Sequence, residues 1–131
     1  MSVELTMTVY ATVLLIVLVV VQAVAGILAN GLATQAGNRD NLPPVKIFHG
    51  RATRTVMNHI EGLVMFAPLA IACSMTQMST PMSVLGAQIF FYSRVAHAAL
   101  YLIGVPWLRA GAWGVSMAGT VMVALCVLGM M

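Results

Sequence analysis

The chain has 131 residues, of which 61% are apolar, with six basic and three acidic side chains. A soluble domain carries roughly 25% charged residues; nine charges (Arg39, Lys46, Arg51, Arg54, Arg94 and Arg109 against Glu4, Asp40 and Glu61) cannot cover a water-soluble globule of this size. That excludes a soluble enzyme, a disordered tail and a disulfide scaffold and leaves a lipid bilayer as the solvent, while the small clustered net charge of +3 reads as topology rather than as nucleic-acid binding.

A membrane-spanning helix needs about 20 mainly apolar residues, so four helices use about 80 residues and leave three short connections. The first apolar run, Val9 to Leu32, is free of charge and ends at Asn30-Gly31. It is too long for a signal-peptide core, and no Lys or Arg precedes it, so the reading is an uncleaved helix. The second run starts polar near Arg51, turns apolar from Gly62 and ends near Met78. Ser79-Thr80-Pro81 is a polar break, with proline tolerated at a helix start. The third run spans Met82 to Ile103 and is broken by Gly104-Val105-Pro106. The fourth runs from Trp107 to the C-terminus. Ten-residue alternating strands of a membrane barrel do not fit this pattern. The expectation is an all-α, integral membrane four-helix bundle in one domain, 1–131, with helices at about 6–32, 51–78, 82–103 and 107–130. The basic residues fall on the two connections at one end, Arg39 to Arg54 and Arg109, so that end is cytoplasmic and both termini face outward. The short loops suit a bacterial inner membrane.

The charges inside the spans carry the functional signal. Arg51, Arg54, Asn58 and Glu61 are spaced by three, four and three, and Arg94, His97 and Tyr101 by three and four; each set shares one helix face. Glu61 lies about 15 Å along the axis from Arg51, inside the hydrocarbon region, where a charge costs at least ~2.5–3.5 kcal/mol. Such groups face one another or a wet cavity. A purely structural ion-pair network of Glu61 with Arg54 or Arg94 is the plain alternative, but one acid cannot neutralise Arg51, Arg54, Arg94 and Arg109. The surplus cationic surface suits an anionic or zwitterionic small molecule held by guanidinium forks, with Glu61 suited to its ammonium group. A four-helix monomer this short has little interior, so sites between protomers of a homo-oligomer are expected.

The pattern Arg51-x-x-Arg54-x-x-x-Asn58-x-x-Glu61, followed by Pro68, resembles the second-helix signature of the MAPEG family, the membrane-associated proteins of eicosanoid and glutathione metabolism. Arg94-x-x-His97-x-x-x-Tyr101, then Pro106 and Arg109, is similar to that family's third-helix signature, closest to the microsomal glutathione transferase and prostaglandin E synthase branch, which has His at the position of His97. The resemblance covers essentially the whole chain. It implies a homotrimer with glutathione as co-substrate bound between subunits in the cytoplasmic half of the membrane. Arg54, Asn58 and Glu61 would hold its γ-glutamyl end and backbone, and His97 and Tyr101 would contact it. Arg51 and Arg94 would serve its carboxylates or brace the site, and Arg109 would be the catalytic residue that stabilises the thiolate. Arg39 is the one candidate for the family's basic residue near the end of helix one. Ala110 stands where prostaglandin E synthases carry a serine, and Gly62 replaces the aromatic of the leukotriene branch.

A lipophilic electrophile or lipid hydroperoxide would enter from the bilayer between helices one and four. Cys73 and Cys126 read as packing residues and His49 as a solvated loop residue. His59 points away from the face of Asn58, and no His and acid have metal-ligand spacing, so no metal is expected. Gly111, Gly114, Ala118 and Gly119 are expected to let helices approach closely. Two rival functions remain: a small multidrug-type exporter, which wants an acid in the first helix, and a non-catalytic adaptor of the same fold.

Overall fold

The structure is a computed structural model that describes residues 1–130. It is all-helical, with elements α1 (Val3–Asn30), α2 (Leu32–Ala36), α3 (Ile47–Met75), α4 (Pro81–Ile103) and α5 (Pro106–Val127). The four long helices occupy the four apolar runs, and the expected count of four becomes five because the end of the first run breaks. Gly31, at φ 83°, ends α1, and the chain resumes as the one-turn helix α2. The helix boundaries follow local chemistry. Ser2 caps α1, its Oγ accepting from the Leu5 amide at 3.3 Å. Thr80 and Ser83 form a reciprocal capping box ahead of α4, with Pro81 in its first turn. α3 begins at Ile47, ahead of Arg51. His49 therefore sits on a helix and is half-buried, not in a solvated loop.

By length and composition α1, α3 and α5 can cross a membrane. α4 is long enough, at 23 residues or about 35 Å, but carries Gln88, Arg94 and His97 and is not among them. The outside of the molecule is apolar: Val13, Ile16, Val20 and Leu28 on α1 and Val64 on α3 are all more than half exposed. Hydroxyls within the helices turn back onto their own backbones, as in Thr12 to the Thr8 carbonyl at 2.9 Å and Thr55 to the Arg51 carbonyl at 2.8 Å. A membrane interior rewards that arrangement because no water can satisfy them there.

α1 packs on α3 and α4, α3 on α4 and α5, and α4 on α5, whereas α1 and α5 do not meet within one chain. The expected entry between the first and last long helices therefore does not exist inside a single chain. The main core gathers Met7, Ala11, Phe66, Ala70, Ala87, Phe90 and Val123, with the Phe66 and Phe90 rings stacked at 3.9 Å. A second cluster, Leu18, Val56 and Ala98, lies further along the bundle.

Two expectations about packing are corrected. Of the small residues on α5, Gly111 and Gly114 face open space, while Gly119 meets Gly86 of α4. A Cβ on Gly119 would come within 2.5 Å of the Gly86 carbonyl oxygen, and one on Gly86 within 2.8 Å of the Gly119 carbonyl oxygen. Helix one is also not free of charge. Glu4 belongs to α1 and is fully buried. It accepts from Ser79 Oγ at 2.8 Å, from Ser83 Oγ at 2.5 Å and from Cys73 Sγ at 3.7 Å. This carboxylate ties α1 to the α3–α4 connection and to the first turn of α4, where the helix dipole favours negative charge.

Candidate functional site

The site lies at the opposite end of α4 from Glu4. There α3 contributes its first turns, α4 its last turns and α5 its first. The α4–α5 connection sets the geometry. Gly104 adopts φ 85°, the left-handed conformation that a helix C-cap favours in glycine. Its missing side chain leaves room for Arg51: a Cβ would lie 2.5 Å from the Arg51 Cζ. The Arg51 guanidinium thus rests against the C-terminal end of α4, where unpaired carbonyls attract a cation.

Beside it opens a cleft of about 190 Å³ lined by Arg51, Arg54, Tyr101, Arg109 and the backbone of the α4–α5 turn. A second cavity of about 250 Å³ is lined by Asn58, His97, Tyr101, Arg109, Ala110 and Trp113. Tyr101 and Arg109 are common to both. The Arg109 Cζ sits 4.3 Å from the Tyr101 ring centroid, a cation–π contact. Tyr101 in turn meets the His97 ring edge-on at 5.6 Å.

Arg94 lies behind this wall and is almost completely buried, at 1% exposure. Its Nη2 donates to Asn58 Oδ1 at 2.9 Å and its Nε to His59 Nδ1 at 3.4 Å. Its guanidinium packs over Gly62, where a Cβ would come within 3.3 Å of the Arg94 Cζ. Nη1 of Arg94 and Nδ1 of His97 are buried without a partner.

Of the eight sequence-predicted site residues, six line the two cavities: Arg51, Arg54, Asn58, His97, Tyr101 and Arg109. Arg94 lies behind them as a brace and has no surface to offer a ligand. Glu61 is exposed and lines neither cavity. Arg39 lies elsewhere, exposed, with its Nε on the Gln35 carbonyl at 2.7 Å. His59 escaped sequence reasoning as a part of the site. It points away from Asn58, as expected, but reaches the guanidinium that holds Asn58, and no local spacing reveals that link. Gly104 and Gly62 escaped it too, although a glycine directly after a helical run is the ordinary signal for a left-handed cap.

No acidic side chain among the described residues lines the first cleft, and three guanidiniums do. At a membrane boundary such a concentration of one sign is costly unless an anion joins it. Fold and site together define an integral membrane helical protein with a cationic pocket at one end of its bundle. The chain belongs to the MAPEG family, whose sequence model matches residues 5–129. Neither the curated proteins nor the solved structures contain a significant match. The family includes glutathione transferases and related enzymes, and membership fits a membrane-bound role of that kind.

Proposed function

We propose that this protein is a membrane-bound glutathione transferase, with peroxidase chemistry on lipid hydroperoxides as a related activity. It acts as a homotrimer of four-span subunits with both termini on the non-cytoplasmic side, and it lies nearest the microsomal glutathione transferase and prostaglandin E synthase branch. One observation carries the reading: Arg51, Arg54 and Arg109 converge on a single cleft without an acid among its lining. Glutathione offers two carboxylates and a thiol whose anion is the reactive form. Neither cavity alone reaches the ~300–1,000 Å³ of an ordinary small-molecule site. Glu61, on the helix face of the site yet outside both cavities, supports closure by a neighbouring subunit. The separation of α1 from α5 within one chain likewise supports an entry for the lipophilic substrate formed between chains.

In this reading Arg51 and Arg54 hold carboxylates, Asn58 and His97 bind the peptide, and Glu61 takes the ammonium group. Tyr101 holds Arg109 by its ring face. Arg109 stabilises the thiolate. A free thiol titrates near 8.5; bringing it to about 7 requires ~2 kcal/mol of preferential stabilisation, at 1.36 kcal/mol per unit, which one guanidinium shielded from water can supply. The thiolate then attacks an electrophilic carbon, forming the sulfur–carbon bond as the leaving group departs with its electron pair.

The buried acid of α1 does not revive the exporter reading, because Glu4 is held through Oε1 by two serine hydroxyls and lines none of these cavities. The deciding experiment is calorimetric titration of the purified protein with glutathione, alongside a conjugation assay and the mass of the assembly. Saturable binding with turnover is the expected result; absence of glutathione binding leaves the adaptor reading.

A further inference from the structure

We propose that His59 is a positioning residue of this site, acting through Arg94 to set which way the Asn58 amide faces. The inference rests on the glutathione-binding reading above. His59 is fully buried on α3, and both of its ring nitrogens are engaged: Nε2 lies 2.8 Å from the Ala11 carbonyl oxygen on α1, and Nδ1 lies 3.4 Å from Arg94 Nε on α4.

The chemistry of the partners dictates the tautomer. A guanidinium has only donors, so Nδ1 must present its lone pair; a carbonyl only accepts, so Nε2 must carry the proton. The ring is therefore neutral and locked between three helices. Its hold on Nε keeps the guanidinium over Gly62, where a Cβ would press on it at 3.3 Å.

The consequence reaches Asn58. Arg94 Nη2 donates to it at 2.9 Å, and a donor-only partner selects the amide oxygen. The Asn58 NH2 group is then the part left to face the cavity of about 250 Å³ that this residue lines. The site thus meets its ligand with two amide donors, suited to a carbonyl or carboxylate, rather than with an acceptor. His59 touches no ligand; it keeps Arg94, and so Asn58, from turning over.

Two conservative variants separate this role from a merely structural one. His59→Asn keeps an acceptor near the position of Nδ1 and loses the tie to Ala11. His59→Gln keeps a donor near Nε2 and loses the acceptor for Arg94. Glutathione affinity, measured by calorimetry, should fall about tenfold in His59→Gln, one hydrogen bond's worth, and less than threefold in His59→Asn. On an Asn58→Ala background His59→Gln should cost no further affinity. The reverse order of the two variants, equal losses in both, or an undiminished loss on the Asn58→Ala background overturns the inference. Nitrogen-15 histidine spectra of the wild-type protein test it without any ligand: a ring protonated at Nδ1 rather than Nε2 also overturns it. Wild-type protein that fails to bind glutathione but shows the expected tautomer refutes the functional reading and leaves this hydrogen-bond chain standing.

Discussion

Replacing Gly104 by alanine probes the link between backbone conformation and ligand binding. Two costs follow from the structure. The first is conformational: the residue sits at φ 85°, and an L-residue in that region costs roughly 1–2 kcal/mol. The second is steric. The new Cβ would lie 2.5 Å from Arg51 Cζ and 2.6 Å from each terminal nitrogen, where carbon–heavy-atom contacts prefer ~3.5–4.0 Å. The guanidinium must retreat by about 1 Å to restore an ordinary contact, more than a charge-assisted hydrogen bond tolerates. Loss of one such bond, worth ~1.5–3 kcal/mol, weakens glutathione binding about 10- to 150-fold at 1.4 kcal/mol per tenfold. Calorimetry reads the affinity, and tryptophan fluorescence from Trp107 and Trp113 reads thermal unfolding. Arg51→Ala should match Gly104→Ala in affinity without its conformational cost, and the double variant should bind no more weakly than either. If Gly104→Ala binds like wild type while Arg51→Ala does not, or if their losses add, the proposed positioning of Arg51 is wrong.

Arg109→Ala should leave the mass of the assembly unchanged and return the bound thiol towards its free value near 8.5, a loss of ~2 kcal/mol of thiolate stabilisation; unchanged ultraviolet thiolate absorbance in this variant would remove Arg109 from the mechanism. Glu4→Ala should lower thermal stability by ~2 kcal/mol, because two serine hydroxyls lose a charged acceptor. It should not alter glutathione affinity, since Ser83 and Tyr101 stand at opposite ends of α4, about 27 Å apart along its axis. A Glu4→Ala protein with wild-type stability but impaired binding would contradict both halves of that expectation.

Most of the secondary structure was legible because lipid enforces it. In a medium that cannot satisfy backbone groups, a long apolar run has one stable form, so Val9 to Leu32 and the later runs had to be helices. The breaks were legible where their chemistry is local: Thr80-Pro81 opens α4, and Gly104-Val105-Pro106 separates α4 from α5. The end of the first run at Asn30-Gly31 was legible in the same way; that the residues after it fold as the short helix α2 was not. Glu4 shows the opposite limit. Nothing local to one acid before an apolar run points to a partner, and only the approach of Ser79 and Ser83 from the far side of the chain buries it.

The scarcity and spacing of the charges were decided by the sequence alone. Helical periodicity puts Arg51, Arg54 and Asn58 on one face of α3 and His97 and Tyr101 on one face of α4, whatever the packing. What periodicity cannot say is which face meets which, because that depends on contacts between residues far apart in the chain. The tertiary structure sends Arg94 behind the site rather than into it, leaves Glu61 outside both cavities and seats Arg51 in the space that Gly104 vacates. It also joins His59 of α3 to Ala11 of α1 and Arg94 of α4, a chain of hydrogen bonds that exists only when three helices come together.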